Sequence, residues 1–405
     1  MFQSIVDEVQ RSSHGQHYTS VPNIMKTIEP LFLDELREEF DKYYDNTQRL
    51  ERLWNRISKI KIFDPACGSG NFLIIAYKEL RKIEHAIIER LYGDEHKRQQ
   101  LAGKLESRIK LDNFYGIEID DFPHEIAILS LYLAKHQMNI DFEKQFGREI
   151  KLIPLKDNAN IIHGDSTILD WKDVCPNLPH KSGVKTGPEQ GALIDFDDEP
   201  LELELEQESW DEIYLIGNPP YLGSSLQDQT QKAGMARVFK NFGNYKNLDF
   251  IAAWLKLGAD YIKGTNAKLA FVSTKSICQG EQVELIWPYL LHDTEIGFVH
   301  KPFRWTNNAV GAAAVVCIIL SLRSPNSKRA AYIYDQNIRQ EVQNISPYLI
   351  ESKNVIVKSR RTQISGLSAM VYGNKPVDGG HLFLTLDEKN FLTDTFPETV
   401  PYIKK

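Results

Sequence analysis

Gly217-Asn218-Pro219-Pro220-Tyr221 closes the apolar run 213–216, and its reading decides how the rest of the chain is organised. Four apolar residues that stop at Gly and Pro are expected to form a buried strand whose C-terminal end opens into a loop. In open α/β sheets that end is where ligands bind. Pro219 and Pro220 remove two backbone donors and hold the segment extended, which leaves the Asn218 side-chain oxygen and the Pro219 carbonyl as acceptors with no competing N–H nearby. Such a pair suits a planar amine. Tyr221 follows with a flat face for the ring that carries the amine.

Working upstream, Lys61-Ile62-Phe63 reads as a short strand and Asp64-Pro65-Ala66-Cys67-Gly68-Ser69-Gly70 as a tight turn. Residues 71–91 follow as a helix with Phe72, Ile75, Ala76, Leu80, Ile83 and Ile87 along one face. Together they make the first βα unit of a Rossmann-like sheet. The turn holds G-x-G but no third glycine in register, so the dinucleotide fingerprint fails. Gly68 and Gly70 allow a ligand close to the backbone, and the helix start offers N–H groups to a carboxylate; a purely structural turn is the alternative. Phe114-Tyr115-Gly116-Ile117-Glu118-Ile119-Asp120 reads as a second strand, and Glu118 at its end is suited to accept both hydroxyls of a ribose. Asp120 and Asp121 are read as caps of the next helix, with Ile126, Leu129 and Leu133 on its apolar face. Asn160-Ile161-Ile162-His163 is the third strand, ending at Gly164-Asp165-Ser166, with His163 read as a packed strand residue.

The Asn-Pro-Pro-Tyr stretch and the upstream Asp-Pro-Ala-Cys-Gly-Ser-Gly turn together resemble the two signature motifs of the amino-methylating, S-adenosylmethionine-dependent DNA methyltransferases. The resemblance implies a Rossmann-like class I methyltransferase fold: a mostly parallel seven-stranded α/β sheet with a terminal antiparallel hairpin, preceded by a helical N-terminal segment. It implies that Asp64, Ala66, Gly68 and Gly70 line the cofactor, with Asp64 near the methionine amino group, and that Asp165 meets the amine of the cofactor adenine. Tyr18 and Thr19 match a Tyr-Thr segment that closes over the methionine end in this family; a helix cap near Ser20-Val21-Pro22 is the other reading. Asn218 is counted with both the cofactor and the catalytic residues Pro219, Pro220 and Tyr221. An aromatic between the last two strands stacks on the flipped base in the family, and Phe303 and Trp305 compete for that role alongside Tyr221.

The chemistry this implies is orientation. An adenine exocyclic amine is a poor nucleophile because its lone pair is delocalised, while the sulfonium already carries an activated methyl; no covalent intermediate and no metal is required. The expected reaction is transfer to the N6 amine of an adenine flipped out of double-stranded DNA. Three rivals stand beside it: a protein glutamine methyltransferase, which presents a similar amide nitrogen; transfer to the amine of cytosine; and a catalytically silent cofactor-binding module of a larger DNA-binding assembly.

The chain has 405 residues, enough for two or three domains, and its 42% hydrophobic content supplies a core. No apolar run approaches a membrane span and the first ten residues lack a signal pattern, so membrane and secretion are not expected. Cys67, Cys175, Cys278 and Cys317 form no CxxC pair, which argues against zinc and disulfides and fits the reducing cytoplasm. A net charge of −7 is awkward for a nucleic-acid enzyme. It is unevenly spread, however, because residues 195–212 are strongly acidic with no Lys or Arg, whereas Lys353, Lys358, Arg360 and Arg361 cluster elsewhere.

The remaining stretches place these motifs. Residues 24–57 read as helical packing, 94–110 as a charged insertion, 171–209 as a long surface excursion, and 222–242 as a polar stretch, which the resemblance implies is a mobile loop touching the substrate, with a polarity that allows DNA contacts. A helix to residue 262 then opens from Asn244-Tyr245-Lys246-Asn247-Leu248-Asp249-Phe250, followed by strands at 268–273, 295–299 and 312–320 and a helix at 281–291. Cofactor motifs before Asn-Pro-Pro-Tyr match the γ order. The domain expectation is a helical segment at 1–58, the catalytic domain at 59–323, and at 324–405 a linker toward a missing target-recognition domain, as in type IIL single-chain restriction-modification enzymes. On this reading the chain is an isolated core, either truncated or one part of an assembly whose recognition subunit and nuclease lie elsewhere.

Overall fold

A computed structural model describes residues 19–93, 106–146, 159–177, 179–181, 208–304, 316–325, 330–336, 338–360, 366 and 383–403. Chain contacts divide it into two units, Met1–Lys358 and Ser359–Lys405.

The first unit opens with α1 (Val21–Ile28) and a π-helical turn at Glu29–Leu33, then α2 (Asp34–Lys42) and α3 (Thr47–Ile57). The expected helix over 24–57 is thus interrupted twice. Pro30 lacks the N–H that would continue α1, and the register widens there. Asn46 starts α3 by accepting Arg49 N at 3.0 Å.

Next come β1 (Lys61–Asp64), α4 (Asn71–Tyr92), β2 (Phe114–Glu118), α5 (Asp121–Phe146) and β3 (Asn160–His163). A short helix α6 (Trp171–Val174) precedes an antiparallel pair, β4 (Pro179–Lys181) and β5 (Glu208–Trp210), where the sequence predicts an irregular excursion. Then follow β6 (Ile213–Gly217), α7 (Gln229–Val238), α8 (Ala252–Ile262), β7 (Lys268–Thr274), α9 (Gly280–Asp293), β8 (Glu295–Arg304), β9 (Val316–Arg323), β10 (Ala331–Asp335) and β11 (Ile338–Val342). The second unit contains α10 (Leu386–Thr395), started by a capping box between Thr385 and Glu388.

One nine-stranded sheet carries the first unit, in the order β11-β10-β8-β9-β7-β6-β1-β2-β3. The strands from β3 to β7 run parallel; β9 is antiparallel to both β7 and β8. The expected seven strands with their terminal hairpin are all present. The sheet then continues, because β10 pairs parallel with β8 and β11 returns antiparallel, so the pairing extends to Val342. Tyr332 and Tyr334 in β10 supply the alternation that a further strand needs.

Strand order reverses between β1 and β6. From β1 the chain winds outward through β2 to β3, and from β6 it winds the other way to β7, so the C-terminal ends of β1 and β6 flank the crevice where ligands of open α/β sheets bind. The core is deepest there: Ile62, Phe63, Leu215, Ile216, Phe271 and Val272 are completely buried.

Two details depart from the sequence reading. In α5 the buried residues are Ala127, Leu131, Ala134, Met138 and Phe142, whereas Leu129 and Leu133 are 50% and 59% exposed. Ala127 meets Gly70 at the start of α4, and Leu129 and Leu133 turn outward. His163 is exposed because β3 is an edge strand, and its Nε2 lies 2.9 Å from the Ile119 carbonyl.

Candidate active site

The first wall of the crevice is the turn after β1. Asp64 is 1% exposed and accepts the Ala66 N–H at 3.0 Å, which folds the chain back after Pro65. Cys67 N bonds to Ile117 O at 3.0 Å, tying the turn to β2. Gly68 N donates to Glu118 Oε2 at 2.8 Å, and Asp120 N donates to Glu118 Oε1 at 3.0 Å. Gly70 has φ +81°, and a Cβ there would stand 3.3 Å from Ala127, so glycine lets α4 start against α5. The turn, β2 and the start of α5 are therefore one hydrogen-bonded block.

Burial sets the electrostatics of this wall. Burial pushes the Asp64 carboxyl up to about 8, its Ala66 bond opposes that, and the nearby Glu118 raises it further. Glu118 is raised as well, chiefly by burial, against the pull of its two backbone donors. Two acids crowd one end of the crevice.

The second wall comes from β6. Gly217, at φ +154°, packs its backbone against the first wall: a Cβ there would lie 2.5 Å from Asp64 Oδ1. The backbone that presents Asn218 is thus in van der Waals contact with the carboxyl that heads the glycine turn. Gly217→Ala is expected to lower stability by about 1–3 kcal/mol from backbone strain, with further loss as Asp64 is displaced. An unshifted thermal midpoint would show that the two motifs do not touch.

Asn218 is half-buried, with its Oδ1 shielded from solvent, and Pro219 is buried. Tyr221 is 7% exposed and its hydroxyl lies 3.8 Å from Cys317 Sγ on β9. Burial and the adjacent thiol raise its pKa far enough that it stays neutral. Phe303 pairs with Cys317 across β8 and β9, which brings it to the same corner, with Lys26 Nζ 4.4 Å from its ring centre. It belongs to β8 rather than to the connecting loop.

The adenine-side candidate sits further along. Asp165 Oδ1 accepts Thr167 N and Thr167 Oγ1, both at 2.8 Å, so one carboxylate oxygen organises the loop after β3. Ser166 donates to Pro65 O, and Trp254 Nε1 reaches the same carbonyl at 3.2 Å, which fastens the loop to the β1 turn. Thr19 is buried. Tyr18 and Trp305 lie outside the described residues. Ser20 starts α1 without a side-chain capping bond.

Sequence reasoning missed the clamp behind Tyr221. Leu222 N donates to Asp249 Oδ1 at 2.9 Å, while Leu222 O accepts Phe250 N and Gln227 Nε2, both at 3.0 Å. The polar stretch 222–242 is correspondingly structured, with α7 started by a capping box between Asp228 and Gln231. The available signal was an acid, Asp249, set within an otherwise apolar helix start. Among the described residues, Asp121, His124 and Glu125 have metal-ligand spacing at the start of α5; His124 Nε2 faces the Ile161 carbonyl at 3.2 Å.

A sheet in this order, with a glycine turn and Asn-Pro-Pro-Tyr meeting at the strand-order reversal, defines a class I methyltransferase-type α/β protein. Comparison with known proteins agrees. The MmeI DNA-methyltransferase domain family matches residues 40–335, and the MmeI target recognition domain matches residues 351–405. The chain belongs to the MmeI DNA-methyltransferase family. It is similar to DNA methyltransferase A of Bacillus subtilis (strain 168), at 42% identity over 409 residues, covering 100% of this chain and 42% of that protein. It is also similar to the type IIL restriction-modification enzyme MmeI, solved in complex with DNA, with a TM-score of 0.83, 38% identity, and coverage of 99% of this chain and 50% of that one. The chain therefore spans half or less of these relatives. The segment expected to be a linker carries, from residue 351, sequence of the recognition-domain family.

Proposed function

We propose that this chain transfers a methyl group from S-adenosylmethionine to the exocyclic N6 amine of an adenine flipped out of double-stranded DNA, as the modification part of a restriction-modification or phage-defence system. The observation that carries the reading is the contact of Gly217 with Asp64: the strand end bearing Asn218 and the glycine turn share one crevice. The relative MmeI is solved in complex with DNA, and residues 351–405 match the target recognition domain family. The reading sets the protein in the cytoplasm, consistent with free thiols at all four cysteines.

The donor set fits the cofactor. Asp64 and Glu118 are buried acids whose pKa values burial raises, and a ligand bearing an ammonium and a sulfonium would favour their ionised forms. Asp64, Ala66, Gly68 and Gly70 would hold its methionine part with Tyr18 and Thr19, Glu118 its ribose, and Asp165 its adenine amine. When bound, S-adenosylmethionine supplies an activated methyl group. The protein's share is orientation: Asn218 Oδ1 and the Pro219 carbonyl accept the two amine protons and turn the nitrogen lone pair toward the methyl. Tyr221 packs on one side of the base, and Trp305 or Phe303 serves the other. Extruding the base costs a few kcal/mol, which the stacking offsets.

Tritiated cofactor and unmodified genomic DNA test this directly. Label is expected in DNA, and nucleoside analysis should return N6-methyladenine. Label in the amine of cytosine, in protein, or nowhere would overturn the assignment in favour of one of the three rivals.

The acid pair adds a pH prediction. Asp64 keeps its proton up to about pH 8 when folded and releases it near 3.8 when unfolded, so ligand-free stability should fall as pH rises between those values. A bound cation favours the carboxylate. Cofactor binding should therefore release a proton below about pH 8 and tighten as pH rises toward it. Binding heats that are identical in buffers of different ionisation enthalpy would show that no proton leaves.

A further inference from the structure

The residue immediately after the Asn-Pro-Pro-Tyr stretch has both of its backbone groups held. Leu222 N–H goes to Asp249, and its carbonyl accepts Phe250 N and Gln227 Nε2. Gln227 Nε2 also reaches Leu248 O at 3.0 Å, closing the link between the loop and the start of α8. Asp249 is 7% exposed, a burial at which a carboxylate must be compensated. Among the described residues its partners are neutral donors: Leu222 N at 2.9 Å, Ile251 N at 3.3 Å and Ser276 Oγ at 3.1 Å. Its own N–H goes to Gln282 Oε1 at 3.0 Å.

The carboxylate thus joins the loop after β6, the start of α8 and the turn after β7, and the backbone N–H of the same residue adds helix α9. A buried charge of this kind is retained at the expense of desolvation, and apolar packing alone would hold α8 more simply. What its geometry adds is a fixed position for the backbone one residue beyond Tyr221. Asp249 also lies near enough to the Tyr221 hydroxyl to oppose its ionisation. Proline at 219 and 220 transmits that position with little slack, since both φ angles are restricted by their rings.

We propose that Asp249 is a positioning residue for methyl transfer: it fixes Leu222 so that Tyr221, Pro219 and Asn218 hold the base amine in line with the methyl donor. The inference rests on the methyltransferase reading above, and it names a residue outside the groups assigned there to base and cofactor. A misplacement of about 1 Å in such a site lowers rates about a hundredfold.

The test uses the intact protein with tritiated S-adenosylmethionine and amplified, unmodified genomic DNA. Asp249→Ala should lower kcat about a hundredfold while leaving the KM for DNA and the calorimetric cofactor affinity little changed. Asp249→Asn keeps one acceptor oxygen for Leu222 N and Ile251 N and offers a donor to Ser276, and should restore most of the rate. A merely structural residue would lower the melting temperature without that split and without that rescue. Gln227→Ala, which removes one of the two donors to the Leu222 carbonyl and the Leu248 link but leaves Phe250 N in place, gives a milder second variant should Asp249→Ala fold poorly, with a smaller fall in kcat expected.

Hydrogen exchange of the peptide over residues 217–226 provides a readout independent of activity. Protection of the Leu222 amide should be lost in Asp249→Ala and kept in Asp249→Asn. Wild-type kcat in a folded Asp249→Ala, or unchanged protection of Leu222, overturns the proposal. A wild-type protein that labels no DNA but shows the expected exchange pattern would instead refute the substrate and leave the clamp in place.

Discussion

Asn218→Ala should lower turnover by about a hundred- to a thousandfold, the scale seen when one preorganised polar group is removed from a transition state, and should leave cofactor affinity nearly unchanged. The argument starts from the nucleophile. A base amine conjugated with its ring offers almost no lone pair until both of its protons are held by acceptors that favour a pyramidal nitrogen. Two acceptors lie in sequence at this position, the Asn218 side chain and the Pro219 carbonyl, and the two prolines keep backbone donors away from them. Only the first can be deleted by mutation. Asn218 Oδ1 is shielded from solvent, so water does not readily replace it. The cofactor turn is organised separately, by Asp64 with Ala66 and by Glu118 with Gly68 and Asp120, and none of these bonds passes through Asn218. Hence the separation expected between rate and affinity. Asn218→Asp keeps an oxygen in place and should fall between alanine and wild type. Single-turnover transfer of tritium to DNA, with calorimetry of cofactor binding, measures both quantities; an Asn218→Ala rate equal to wild type would remove Asn218 from the chemistry.

The sheet and the crevice were legible because their signals are local. A run of apolar residues ending at Gly217 forces a buried strand, and Gly68 and Gly70 force a turn before a helix. Two such strands with ligand-type loops at their ends are neighbours in any doubly wound sheet, and Leu215 indeed pairs with Phe63. Long-range facts were not legible. Which face of α5 turns inward depends on what packs against it, and Ala127, Leu131 and Ala134 are buried there while Leu129 and Leu133 are not. The strands β10 and β11 join the sheet only because β8 offers its outer edge, which a one-dimensional reading cannot see. Asp249 was hidden for the same reason: its meaning lies in Leu222, 27 residues back, and in Ser276 and Gln282, 27 and 33 residues ahead. An acid between apolar neighbours was visible; its partners were not.

The largest loss of stability is expected at a charge pair that sequence alone would leave on the surface. Arg81 and Glu84 stand three apart on α4, a spacing that on an exposed helix contributes only tenths of a kcal/mol. Here they are 1% and 0% exposed, with Arg81 Nε 3.0 Å from Glu84 Oε2. Glu84 also accepts Trp54 Nε1 at 2.9 Å from α3, and Ser107 Oγ at 2.6 Å and Arg108 N at 2.7 Å from the segment before β2. Arg81 continues to Tyr77 Oη at 2.7 Å and to Asn139 on α5 at 3.1 Å. The pair therefore sits where α3, α4, α5 and the approach to β2 converge. Removing one partner strands the other, and the cost of an uncompensated buried charge, about 3–5 kcal/mol, exceeds what the pair itself contributes. Glu84→Ala should lose that amount in urea unfolding, and Glu84→Gln, which keeps a neutral acceptor for some of the donors, should lose less. Replacing both residues by Met removes the stranded charge, so the double variant should be more stable than Glu84→Ala alone. Because none of the hydrogen bonds just given for Glu84 and Arg81 goes to Asn218 or Asp249, folded Glu84→Ala should retain near-normal kcat at low temperature. A loss no larger than the roughly 0.5 kcal/mol of a surface substitution would mean that water reaches the pair and that these helices are held together by apolar packing alone.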